Sequence, residues 1–432
     1  MTPEIKQRIE QIRRGKVPEG YKKVKMWMCP VEWKVTTLNT VADVGQGYTF
    51  KREYQGQSVG RWNYFKVADI GLKNTGIYLS SAINKVDDSL IKQMGCKPFS
   101  AGSIVFPRVG AALLNNNKRI LLQDSIVDDN VLVLTVKDVF TCNNIFLYYL
   151  LSRLRLEDWC NSGLVPVINS KTVLKQTVNL PPIEEQQKIA AILTTQDRVI
   201  ELKEKRLAEK QRQKKYLMQQ LLTGKKRLPG FSGEWKNIKL CEVLSERKEK
   251  NVEQNLRICS VAVQKGVVDQ VEHLGRSYAA NDTSNYSVAH YGDIIYTKSP
   301  TGDFLYGIVK QNLLQEKVAV SPLYGVFTPM TFGLGYFLHT YFQSAICARN
   351  YLLPIVQKGA KNTINITNDT FISSKLYLPL DVEEQKAIAD TFIAADREID
   401  LLRQDIEQEK QKKKALMQLL LTGIVRVKHD SI

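Results

Sequence analysis

The stretch KKYLMQQLLTG at residues 214–224 returns as KKALMQLLLTG at residues 413–423, 199 positions later. Solenoid repeats recur about every 20–50 residues, so a spacing near half the chain requires a large duplicated unit. Carried backwards at the same offset, Glu184-Glu185-Gln186 meets Glu383-Glu384-Gln385, Ile189-Ala190 meets Ile388-Ala389, and Asp197-Arg198 meets Asp396-Arg397. Of the 44 pairs from Glu184/Glu383 to Arg227/Arg426, 19 are identical, well beyond chance. The chain is duplicated.

Each copy reads as one long helix. Both follow a proline step, LPPIEEQ and LPLDVEEQ. Proline is tolerated in a first helical turn, and acidic residues suit the positive helix N-terminus. Both copies end at Thr-Gly, with Gly224 and Gly423 where a left-handed cap is wanted. No proline or glycine interrupts either copy, which predicts roughly 40 residues of helix and a rod about 60 Å long at 1.5 Å per residue. The apolar spacing is heptad-like. Leu193, Ile200, Leu207 and Leu221 share a seam, with Ile189 and Leu217 beside it. In the second copy Phe392, Ile399, Ile406 and Leu420 share one with Ile388, Ala395, Leu402 and Leu416. The middles, KEKRLAEKQRQKK and RQDIEQEKQKKK, are too polar to persist alone, so the seams predict an antiparallel coiled coil of the two helices.

About 150 residues of strand-rich sequence precede each helix, and the two blocks echo one another. Glu32-Trp33-Lys34 with Leu38 opens the first, and Glu234-Trp235-Lys236 with Leu240 the second. Gly102-Ser103-Ile104-Val105-Phe106 answers Gly292-Asp293-Ile294-Ile295-Tyr296, an aromatic segment follows in each (FLYYLLSR, GYFLHTYFQS), and Gly-x4-Ile-Asn closes each at Gly163 and Gly359. Between these landmarks almost nothing is shared. Matching frames with unlike loops predict two modules of one fold that read different things. The N-terminal EIKQRIEQIRRGKVPEGY resembles the end of the first repeat and is expected beside the end of the second helix, restoring a pseudo-two-fold, nearly circular order. The expected divisions are residues 1–22, a helical segment; 23–180, first recognition block; 181–226, first helix; 227–378, second block; and 379–432, second helix and tail. The fold class is α+β.

Composition says what such modules meet. A formal charge of +17 and pI ≈ 9.4 point to a polyanion. No apolar run reaches the roughly 18 residues of a spanning helix, and the charged N-terminus lacks a signal-peptide core, so no membrane role is expected. Seven scattered cysteines without a CxxC pair match a reduced, cytoplasmic protein.

These features together resemble the specificity subunit of Type I restriction–modification enzymes. The motifs that carry the resemblance are the LPPIEEQQKIA and LPLDVEEQKAIA helices ending in LMQ-x-LLTG, alternating with divergent EWK…G(D/S)I blocks. It covers nearly the whole chain, departing at Gly102-Ser103, where the family commonly has Gly-Asp. It implies two target-recognition domains, each reading half of a split double-stranded DNA sequence, and helices that space them and bind two modification (methyltransferase) subunits. Restriction (ATP-dependent translocase/nuclease) subunits would join in a cutting complex. S-adenosylmethionine, ATP and Mg²⁺ would reside on those partners, with no cofactor in this chain.

Base and phosphate contacts follow residue type: Arg, Asn and Gln for base edges, Lys and Arg for phosphates. In the first block the candidates are Lys51, Arg52, Tyr54, Gln55, Gln57 and Arg61, then Arg108, Asn115, Asn116, Asn117, Lys118 and Arg119. Gly45, Gly47 and Gly110 beside them would admit DNA backbone. In the second block they are Arg276, Tyr278 and Asn281, then Lys298, Ser299 and Thr301, then Lys358, Lys361 and Asn362. No nucleotide-binding Gly-rich loop, base-holding Pro-Pro-aromatic run or metal-ligand spacing is legible, and His273, His290, His339 and His429 stand apart from one another. Glu184-Glu185 and Glu383-Glu384 are accounted for by the helix dipole. The expected function is a non-catalytic DNA-specificity subunit. The alternatives are a structural coiled-coil adaptor and a self-sufficient methyltransferase or nuclease.

Overall fold

A computed structural model describes the chain except at residues 1, 25–26, 73–75, 162, 164, 277–278, 280, 359–363 and 428–432. The chain forms two compact units, Met1–Lys205 with Gln404–Ile432, and Arg206–Arg403. The duplicated segments are continuous helices, Ile183–Leu221 and Val382–Leu420, of 39 residues each. Each contributes one part to each unit. Both stop as their sequence anticipates, with Gly224 and Gly423 left-handed at φ +68° and +71°. The reversed chain then bonds back, Lys226 N–H to the Gln220 carbonyl and Val425 N–H to that of Leu419, both at about 3 Å (3.2 and 3.1 Å).

In the first unit a five-stranded sheet has the order Ala42–Gln46, Val131–Val136, Ile104–Pro107, Arg119–Leu121, Tyr78–Leu79. Its central strands read VLVLTV and IVFP, near-continuous apolar runs, because one face packs on the aromatic helix Asn144–Ser152 and the other on the smaller cluster around Phe65, Ile70 and Val127. A three-stranded sheet, Ser125–Val127, Trp62–Phe65, Asn84–Val86, carries the basic loop between Lys51 and Arg61. The second unit repeats the antiparallel core as Leu244–Glu246, Gly325–Pro329, Ile294–Tyr296, Val309–Gln311, backed by the aromatic helix Phe332–Tyr341. Its second sheet, Gly266–Asp269, Arg257–Ala262, Val318–Val320, Ser287–Ala289, has a different order. In each unit the first and last strands of the block pair antiparallel: Lys34–Thr37 with Thr177–Leu180, and Lys236–Lys239 with Lys375–Leu378.

The long helices share their apolar stripe between two tasks. Ile189, Leu193 and Leu420 are buried in the core of the first unit, and Leu221, Ile388 and Phe392 in that of the second. Each such side chain contributes roughly 1.5–3 kcal/mol by burial. Ile200, Ile399 and Ile406 are buried, while Leu207, Leu217, Leu402 and Leu416 are half-buried. Between helices, ion pairs take over. Within the first unit Lys203 pairs with Asp405 (2.8 Å) and Glu409 (2.9 Å), Lys410 with Glu204, and Lys413 with Asp197. Within the second, Lys210 pairs with Glu398 and Lys214 with Asp396. From Asp197–Lys413 to Lys203–Asp405, and from Lys210–Glu398 to Lys214–Asp396, numbers rise along one helix as they fall along the other, so the pairing is antiparallel. The charged middles therefore serve the helix pair, adding ion pairs to the buried Ile200, Ile399 and Ile406.

The glutamates at the helix starts do more than meet a dipole. Glu185 Oε1 and Oε2 accept from Arg426 Nε (2.8 Å) and Nη2 (2.9 Å), and Oε2 also from the indole of Trp33 at 3.2 Å. Glu384 accepts from Arg227 and from Trp235 (3.0 Å) in the same way. The N-terminal helix Pro3–Arg13, capped by Thr2, reaches the same region of the first unit, with Arg8 donating to the Ile424 carbonyl and Tyr21 to that of Gly423.

Glu384 is 1% exposed. Glu384→Ala strands both donors and is expected to cost about 3 kcal/mol, read as a lower urea midpoint. Ala at either capping glycine adds about 1–2 kcal/mol of left-handed strain. At Gly423 the new Cβ would also lie 2.5 Å from Pro30 Cδ, whereas at Gly224 the nearest atom is 3.2 Å away. Gly423→Ala should therefore lower the melting temperature further than Gly224→Ala.

Candidate nucleic-acid interface

The basic loop of the first block is exposed and lightly tethered. Lys51 pairs with Glu53 at 3.7 Å, across the short turn Arg52–Tyr54. The Tyr54 ring rests on Phe50, centroids 6.0 Å apart. Arg61 lies over the Trp62 ring at 4.6 Å and 3.5 Å from Asp88. Gln55 and Gln57 are exposed, and the Gln57 carbonyl accepts from Lys85 N–H. Such exposed pairs contribute little to stability, so Lys51 and Arg61 can exchange their carboxylates for phosphates.

The second group divides. Arg108 is half-buried, its guanidinium 3.4 Å from the Asp129 carbonyl, and Asn115 is exposed at the end of the turn Ala111–Asn115. Asn116 is left-handed (φ +54°), and its Oδ1 accepts from Lys118 Nζ (2.8 Å) and Leu156 N–H (2.9 Å). Lys118 is 2% exposed, donates also to the Leu154 carbonyl (3.0 Å), and is pushed down to about 7 by burial. It is an internal strut here, out of reach of a phosphate. Asn117 is half-buried, and Arg119 donates to the carbonyls of Lys118 and Leu72. The glycines beside these groups serve the fold. A Cβ at Gly45 would strike Phe99 at 2.6 Å, and one at Gly47 the Asp128 carbonyl at 2.1 Å, whereas Gly110 faces open space at φ +80°.

In the second block Arg276 follows the short helix Gln270–Leu274 and, like Asn281, is exposed. Lys298 is left-handed at φ +58° and opens the loop carrying exposed Ser299 and Thr301; burial lowers its pKa. Tyr278, Lys361 and Asn362 lie outside the described residues, as does the side chain of Lys358. These contacts tie the candidates into separate local groups, one on each loop.

Three features were not singled out in the sequence. Two are the Glu–Arg–Trp clusters and a second repeated triad: Tyr149 donates to Asp197 (2.7 Å), which pairs with Lys413, and Tyr336 donates to Asp396 (3.0 Å), which pairs with Lys214. Identity across the 199-residue offset marked the helix members of both. The third is a cavity of ≈ 1180 Å³ within the second unit, bordered by Lys214, Lys310, His339 and Asp396. Among the described residues no cluster of His, Cys, Asp or Glu is poised for a metal, and no helix is long and apolar enough to cross a membrane.

Two α+β blocks built on one antiparallel plan, each feeding a long helix, define a duplicated recognition protein. The family model for the Type I restriction modification DNA specificity domain matches twice, over residues 30–211 and 233–411, and the chain belongs to that family. Membership makes it a DNA-recognition component and not the catalyst. Among relatives, the Type I restriction enzyme MjaVIII specificity subunit of Methanocaldococcus jannaschii is 26% identical over 61% of this chain and 66% of its own length, just under two thirds. The putative MjaX specificity subunit of the same organism is 24% identical over 95% and 97%. The fold matches that of the S subunit from M. genitalium (TM-score 0.57, 11% identity, 90% of this chain and 96% of that one). It also matches a chain from a study of complex assembly and conformational transition in the type I R-M system (TM-score 0.50, 15% identity, 92% and 99%).

For a residue that meets a phosphate, replacement by alanine should weaken binding to every duplex and lower the slope of log K against log salt by about 1. Lys51→Ala and Arg52→Ala are expected to do so in filter-binding titrations, whereas Lys118→Met should leave that slope unchanged.

Proposed function

We propose that this chain is the specificity subunit of a Type I restriction–modification complex, in which each block reads one half of an asymmetric, bipartite DNA target. The observation that carries the reading is duplication with selective divergence. The antiparallel cores, the helix starts and the Glu–Arg–Trp clusters recur in both units, while the loops and the second sheets differ. Related scaffolds with unlike loops suit two unlike half-sites.

The long helices act as spacer and as the docking surface for two methyltransferase subunits, with restriction subunits joining where cleavage occurs. S-adenosylmethionine, ATP and Mg²⁺ belong to those partners, and the complex works in the cytoplasm. Since duplex DNA repeats its faces about every 34 Å, the unread gap is expected to be roughly 5–8 base pairs.

The test is a selection. The chain assembled with its modification subunit is offered random duplexes near physiological salt, and the retained molecules are sequenced. Two short unlike motifs at one fixed gap are expected. One continuous motif would overturn the bipartite reading, and no enrichment by an intact complex would sink the specificity role altogether.

A further inference from the structure

The cavity of the second unit holds an ammonium that no described side chain or carbonyl meets directly. Lys310, in the strand Val309–Gln311, lines it and is 3% exposed. Among the described residues its ammonium has neither a hydrogen bond nor an ion pair. The charged groups that act on it, Lys214 and Asp396, are already engaged. Lys214 Nζ donates to Asp396 Oδ1 (2.5 Å) and Gln343 Oε1 (2.8 Å), and Asp396 Oδ2 accepts from Tyr336. His339 Nδ1 accepts from Gln311 N–H at 3.0 Å, and its Nε2 meets Gln343 Nε2 at 2.9 Å. Lys214 and Asp396 both act electrostatically on Lys310, one repelling and one attracting, while burial lowers it to about 8 and holds His339 well below its usual range.

A lone buried ammonium is costly unless a counter-charge reaches it. Elsewhere on the lining, Lys215, Lys225 and Lys265 have no ion pair among the described residues, against Asp303 in the same condition, so the cavity is net positive. The first unit has no such group at this position. There Arg119, paired with Val105 as Lys310 is with Ile295, donates to the carbonyls of Lys118 and Leu72.

We propose that this cavity binds a soluble phosphate ester, its phosphate between Lys310 and the lysines of the rim and its organic part against Tyr336, Tyr341 and Phe304. Lysine is a point-charge partner for phosphate, and the volume exceeds what a bare ion needs. The depth of Lys310 keeps it from the outer surface of a duplex. This site is independent of the DNA-specificity reading.

The test is calorimetric titration of the full chain with inorganic phosphate and with adenosine 5′-monophosphate, ionic strength held constant with chloride. Saturable binding of one equivalent is expected, at least tenfold weaker in Lys310→Met, retained within a few-fold in Lys310→Arg, and weakened a few-fold by Lys265→Ala at the rim. Lys310→Met removes a buried charge, so its melting temperature should hold or rise, and phosphate should raise the melting temperature of the wild type and of Lys310→Arg but not of Lys310→Met. No saturable binding by folded wild type, or equal binding by Lys310→Met, overturns the proposal. So does a Lys310→Met salt slope for duplex binding lowered by about 1, which would assign the lysine to DNA backbone.

Discussion

In each unit three pieces of chain meet on one buried carboxylate. Glu185 opens the first long helix, Arg426 follows the end of the second, and Trp33 introduces the block, yet all converge within hydrogen-bonding distance. Glu384, Arg227 and Trp235 do the same in the other unit. A carboxylate with two guanidinium bonds and an indole N–H is fully satisfied, and so tolerates burial that would otherwise be prohibitive. Its directionality also fixes the angle at which helix and block meet, which apolar packing alone leaves loose. The stacked aromatic helices, the paired strands and the glycine caps then have defined partners to pack against.

Much of this was legible because it is periodic or repeated. The proline start, the Thr-Gly stop and the unbroken stretch between them delimit both helices to within a few residues of Ile183–Leu221 and Val382–Leu420. The role of Glu185 was not legible. An acid in a first helical turn has a sufficient local explanation, and its real partner lies 241 residues away. Lys310 was hidden for a related reason. In IVKQN the lysine occupies the alternate position of a strand, where solvent is the ordinary expectation, and only long-range packing within the second unit buries it. Gly45 and Gly47 sit beside a basic loop and so suggest room for a ligand, whereas Phe99 and the Asp128 backbone occupy the space. Contact residues on the loops remain readable by type alone, since exposed arginines and lysines share one composition whatever they touch.

The two units also show how far a fold can drift while its frame is held. The antiparallel cores keep their order, but Ser103 bonds the Thr135 hydroxyl where Asp293 instead receives Arg247 and Thr328. One unit solves that buried position with neutral hydroxyls, the other with an ion pair. Both solutions leave no orphaned oxygen at the turn, which is the condition the fold imposes; the residue type is free.

The pairing of first and last strands has an evolutionary consequence. Because Lys34–Thr37 lies against Thr177–Leu180, and Lys236–Lys239 against Lys375–Leu378, the chain leaves each block beside the point where it came in. Everything between is a closed excursion. Recombination that exchanged one excursion for another, joined within those strands, would leave the paired strands and the helices unchanged, so a whole block can be replaced without first rebuilding the scaffold that carries it.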